Sequence, residues 1–129
     1  MVCKTIFLCI MANPKHILLV EDDISLSTVL ADYLQSKEYQ VQTAPNGQEA
    51  WELLNKRHFD ILLTNISMPK MNGWQLLKTV RDSGQLMPVI IISAKTDRED
   101  IIRGYHLGCD DYVTKPFSMD ILICKIEAI

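Results

Sequence analysis

Hydrophobic residues in this chain follow two alternating patterns. Short unbroken apolar runs occur at His16-Ile17-Leu18-Leu19-Val20, at Ile61-Leu62-Leu63 and at Pro88-Val89-Ile90-Ile91-Ile92-Ser93. Such runs fit strands buried on both faces of a parallel sheet. The stretch 39–44 alternates and is rich in β-formers, and Tyr112-Val113-Thr114 is a short fifth candidate. Between these runs, apolar residues recur at helical spacing. They are Leu26, Val29, Leu30 and Leu34, then Ala50, Leu53 and Leu54, then Leu76, Leu77 and Val80. A fourth helix is expected to end at Gly108 as its C-cap, and a last one runs through Leu122 and Ile126. Asp23 or Ser25, Thr96 or Asp97, and Ser118 are the expected helix N-caps. Pro45-Asn46-Gly47 predicts a turn. The third helix opens at Trp74 and stops at Ser83-Gly84.

Five strand–helix alternations imply parallel strands, right-handed crossovers and helices on both faces. In such a sheet ligands bind at the carboxyl edge of the strands. The predicted ends carry Glu21 and Asp22, Asn65, Ser93 and Lys115. Two acids after one strand can share a hard divalent cation, which prefers oxygen ligands. They suit a helix N-terminus equally, since anions are favoured there. Ser93 alone is a turn hydroxyl, and Lys115 alone a solvated charge.

Composition narrows the picture. The chain has 129 residues, enough for one domain with one core. With 48% hydrophobic and 22% charged residues it is ordinary for a soluble globular domain. A net charge of −3 does not favour contact with phosphate backbones, so direct nucleic-acid binding is not expected. Cys3, Cys9, Cys109 and Cys124 form no C-x-x-C pair and have no histidine at zinc-ligand spacing. They read as reduced, mostly buried thiols of a cytoplasmic protein. Residues 5–12 are apolar but too short to span a bilayer. Residues 1–15 read as an N-terminal extension, with Met11 a plausible natural start. An extra strand or a self-association segment is the alternative.

Several motifs then point one way together. ILLVEDD carries Glu21 and Asp22. ILLTNISMPKMNG carries Asn65, Met68-Pro69 and Gly73. IIISAK carries Ser93, and DDYVTKPF carries Tyr112 and Lys115 before Pro116. From residue 16 to residue 129 the chain resembles the receiver domains of response regulators in two-component signalling and phosphorelays. The resemblance implies a flavodoxin-like, doubly wound sheet of order 2-1-3-4-5, ending inside the last helix. It implies phosphoryl transfer from a histidine kinase or phosphotransfer protein to an Asp at the position of Asn65. It also implies Mg²⁺ held by Glu21, Asp22, position 65 and the backbone carbonyl of Ser67. Lys115 and Ser93 would hold the phosphoryl oxygens, and Ser93 and Tyr112 would form the switch. The bond before Pro116 is expected to be cis. A homodimer through the face of helix 4, strand 5 and helix 5, and an output domain beyond Ile129, are further implications. The family's receiver is a regulatory phosphoacceptor rather than an enzyme.

The chain departs from the family at one decisive letter. Asn65 stands where the acceptor Asp is expected. An amide is a poor nucleophile, so acyl-phosphate formation there should fail. One negative charge is lost, worth roughly 1 to 4 kcal/mol for a unit pair at about 4 Å. Mg²⁺ should therefore bind more weakly, and Lys115 should lose an ionic partner. Asn65 is either an engineered block or the mark of a natural pseudo-receiver. A phosphate-independent adaptor is the alternative function. A flavodoxin-like enzyme or flavin carrier is a third, opposed by the acidic loop after strand 1, which would repel a phosphate.

Overall fold

The computed structural model describes residues 15–129. The expected extra strand or self-association segment, with Cys3 and Cys9, lies outside the described residues. Five strands form one parallel sheet: β1 (His16–Val20), β2 (Gln40–Ala44), β3 (Ile61–Thr64), β4 (Val89–Ser93) and β5 (Asp111–Thr114). Five helices follow them in turn: α1 (Ile24–Ser36), α2 (Gly47–Lys56), α3 (Gly73–Asp82), α4 (Arg98–Leu107) and α5 (Met119–Ala128). The strand order is β2-β1-β3-β4-β5, as the resemblance implies.

Strand periodicity divides the core in two. Leu18, Val20, Leu62, Val89 and Ile91 point to one face, where Leu54, Trp74, Leu76, Leu77 and Val80 of α2 and α3 cover them. Ile17, Leu19, Ile61, Leu63, Ile90 and Ile92 point to the other, against Leu30 and Leu34 of α1 and Leu122 and Ile126 of α5. Successive side chains of a strand alternate between faces, so unbroken apolar runs are needed where both faces are covered.

Local signals set the helix ends. The Asp23 and Ser118 side chains accept from Leu26 N and Ile121 N, as expected of N-caps. Asn72 and Gln75 form a reciprocal capping box that starts α3 one residue before Trp74. Asn46 does not merely turn the chain, because its side chain caps α2 through Glu49 N. Asp97 occupies the N-cap position of α4 without a side-chain cap bond. Gly108 ends α4 with a left-handed φ of 105°. The bond between Lys115 and Pro116 is cis. The cysteines depart from expectation. Cys109 is buried, but Cys124 is exposed, on the side of α5 away from Leu122 and Ile126.

Candidate functional site

The register of the sheet brings the predicted residues to one edge. Val20 pairs with Thr64, so the next residues of the two strands, Glu21 and Asn65, leave the sheet side by side. The Asn65 N–H donates to Val20 O at 2.9 Å and holds them there. Ser93 pairs with Thr114 at the end of β4 and β5, and the Lys115 N–H donates to Ser93 O at 2.8 Å. Thr64 is fully buried and its hydroxyl donates to Asn65 O, so it presents no nucleophile at this edge.

The side chains form a charged network. Asn65 Nδ2 lies 3.0 Å from Glu21 Oε2, 3.3 Å from Asp22 Oδ1 and 3.2 Å from Ser67 O. Lys115 Nζ donates to Glu21 Oε1 at 2.8 Å. Lys115 therefore has Glu21 as an ionic partner, and the neutral amide at position 65 offers it no second one. Glu21 is 6% exposed, and both its carboxylate oxygens are satisfied, as a buried charge requires. Asp22 faces solvent. Glu21, Asp22 and the Ser67 carbonyl supply hard oxygens of the type a small divalent cation takes. Among the described residues, no group of three or more His, Cys, Asp or Glu side chains gathers as a metal site.

Ser93 and Tyr112, the expected switch pair, meet at one loop. Ser93 is buried, and its hydroxyl accepts from Lys95 N at 3.0 Å. Tyr112 is buried as well, and its hydroxyl donates to Lys95 O at 2.7 Å. Burial pushes the Tyr112 phenol above its ordinary value, so it stays a neutral donor. Ser93 and Tyr112 thus both bind the backbone of Lys95, in the loop that leads into α4.

Two features of the site were not read from residue types. Gly104 faces the Tyr112 ring, and a Cβ there would lie 3.0 Å from Tyr112 Cδ2 and 3.2 Å from Ile91 Cδ1. Gly73 belongs to a quoted motif, but its reason is steric. A Cβ on it would collide with Asn65 O, while its N–H donates to Ile66 O at 2.8 Å. It lets the start of α3 press against the loop that carries Asn65.

Comparison with known proteins agrees with this geometry. The family described as the response regulator receiver domain matches residues 17–127. The transcriptional regulatory protein RprY of Bacteroides fragilis is 42% identical over 119 residues, covering 92% of this chain and 50% of that protein. The cell cycle response regulator CtrA of Brucella ovis is 38% identical, covering 88% of this chain and 49% of that protein. The chain thus spans about half the length of these curated relatives. Among solved structures, the receiver domain of the Francisella response regulator 1452 superposes with a TM-score of 0.86 at 33% identity, covering 88% of this chain and 94% of that one. The chemotaxis protein CheY4 of Vibrio cholerae gives a TM-score of 0.85 at 28% identity, covering 91% and 99%. Sheet order and sequence relationship agree: this chain belongs to the response regulator receiver domain family of two-component signalling.

Proposed function

We propose that this chain is a receiver module whose phosphoryl-acceptor position is closed by Asn65. The observation that carries this reading is the amide itself. Asn65 leaves β3 beside Glu21, with its Nδ2 turned to two carboxylates and a carbonyl. That orientation is dictated by charge, since the amide oxygen in the same place would face acceptors only. An amide presents no anionic oxygen to attack a phosphohistidine, so positioning by Lys115 and Ser93 has no nucleophile to act on. Thr64 is no substitute, because it is fully buried. The family's Mg²⁺ would be held by Glu21, Asp22 and Ser67 O, and would supply charge neutralisation to phosphoryl transfer. Here its affinity is lowered by the missing carboxylate. Partners are a histidine kinase or phosphotransfer protein and, in a longer protein, an output domain.

A second reading rests on Tyr112. In the family mechanism the aromatic turns inward as the switch hydroxyl engages a phosphoryl group. In this chain Tyr112 is buried and bonded to Lys95 O, while Asn65 offers no acceptor for a phosphoryl group. That favours a phosphate-independent adaptor acting through the face of α4, β5 and α5. On this face Asp111 accepts from Tyr105 and Lys125, and Ile102 and Ile121 are exposed.

The test uses fluoroberyllate, a phosphoryl mimic that needs a carboxylate oxygen to coordinate. With beryllium and fluoride added, ¹⁹F NMR should show no protein-bound resonance for the unaltered chain and a bound one for Asn65→Asp. A bound resonance of equal intensity in both proteins would overturn the reading.

A further inference from the structure

The three oxygens expected to hold a cation converge on one point, and that point is filled. Asn65 Nδ2 lies 3.0–3.3 Å from Glu21 Oε2, Asp22 Oδ1 and Ser67 O. We infer that the Asn65 amide nitrogen takes the structural place of the divalent cation, so that this receiver is assembled without metal. This rests on the reading of Asn65 as the closed acceptor position, and it adds that the same residue also closes the metal position.

Three observations support it. The first is geometric. An amide NH₂ has two hydrogens to share among acceptors, and here three oxygens from two loops surround it. A cation coordinating the same oxygens needs them at about 2.0–2.1 Å, inside the 3.0–3.3 Å shell they form around Nδ2, so cation and amide nitrogen cannot occupy the space together. The second is charge. Glu21 and Asp22 carry two negative charges, and Lys115 returns one through its 2.8 Å contact with Glu21. A carboxylate at position 65 would raise the excess from one negative charge to two, which a divalent cation would cancel. The amide removes that third carboxylate and contributes partial positive charge where the cation would have been. The third is satisfaction. Among the described residues, no buried side-chain nitrogen or oxygen lacks a hydrogen-bond partner. Glu21 in particular is buried yet fully bonded, so no unsatisfied group here calls for an ion.

The device makes the loop after β1 and the loop after β3 adhere through hydrogen bonds from an uncharged amide to carboxylates, rather than through an ion. Members that need a cation for this contact respond to its concentration, and this chain should not. For a cation to enter, the amide must rotate out and break three contacts.

Isothermal titration of the unaltered protein with MgCl₂, alongside Asn65→Asp and Asn65→Ala, tests the inference. Asn65→Ala removes the bridge without adding charge, so it separates occupancy from electrostatics. The expected result is weakest binding to the unaltered chain, tighter binding to Asn65→Ala, and affinity for Asn65→Asp at least about tenfold above that of the unaltered chain. The melting temperature of the unaltered protein should be the same in MgCl₂ and in EDTA. Binding by the unaltered protein as tight as by Asn65→Ala would overturn the inference, because the amide would then not block the position. So would a melting temperature of the unaltered protein that rises with Mg²⁺, a result that needs no variant to fold. Neither outcome touches the acceptor reading, which is tested separately by attachment of fluoroberyllate or phosphate to the unaltered chain and to Asn65→Asp.

Discussion

Lys115 Nζ donates to Glu21 Oε1 at 2.8 Å, joining residues 94 positions apart in sequence. The other oxygen of the same carboxylate accepts from Asn65. Glu21 is therefore the hub of the carboxyl edge, and its removal leaves both Lys115 and Asn65 without a main partner. We expect Glu21→Ala to lower stability by about 1–3 kcal/mol, below the full cost of breaking a deeply buried pair because the Lys115 side chain reaches solvent. Asp22→Ala, at an exposed position, should cost less than about 0.5 kcal/mol. Urea denaturation of the two variants checks this, and equal losses would contradict the assignment of Glu21 as hub.

Gly104 and Tyr112 should be energetically coupled. In an ordinary helix, Gly→Ala gains about 1 kcal/mol of stability. Here the added Cβ would stand 3.0 Å from the Tyr112 ring. Gly104→Ala should therefore destabilise the unaltered protein by about 1–2 kcal/mol, the crowding outweighing the helix gain. In a Tyr112→Ala background the same change should stabilise. A double-mutant cycle measures the coupling, and the same sign in both backgrounds would refute the packing account.

β1, β3 and β4 were legible because each is an apolar run, as at Ile61-Leu62-Leu63, with both faces of the sheet covered, while β2 was legible from its alternation. The caps at Asp23 and Ser118 were legible because a short polar side chain precedes a helical apolar period. Side-chain partners distant in sequence were not. Arg81 shows why. Its guanidinium donates to the carbonyls of Gly108, Gln85 and Met87 and approaches Asp110 at 3.2 Å, tying the end of α3 to the loops before β4 and β5. Backbone carbonyls leave no residue-type signal, so that tie appears only in three dimensions. The pairing of Lys115 with Glu21 rather than position 65 was hidden for a related reason. Motifs bring residues to one edge, but they do not say which of two neighbouring oxygens a lysine takes.

The two described cysteines should differ sharply in reactivity. Burial pushes the Cys109 thiol from its ordinary 9.0 up to about 12, with Asp110 and Asp111 adding to the effect. Cys124 is exposed. At pH 8, iodoacetamide should modify Cys124 at least about tenfold faster than Cys109, with the two converging in urea. Peptide mapping resolves them. The folded value of Cys109 lies above the unfolded one, so its contribution to stability is complete below pH 9.0 and is lost as pH rises towards about 12. Equal labelling rates in the native protein would show that Cys109 is not held in the core.

On the proposed reading, the edge formed by Glu21, Asp22, Ser93 and Lys115 is complete except for the nucleophile. Intact-mass spectrometry after incubation with acetyl phosphate and Mg²⁺ tests it most directly, on the unaltered chain and Asn65→Asp in parallel. The unaltered protein should carry no adduct and Asn65→Asp one acid-labile phosphoryl group. Acid-labile phosphorylation of the unaltered chain, or its absence from a folded Asn65→Asp variant, would contradict it.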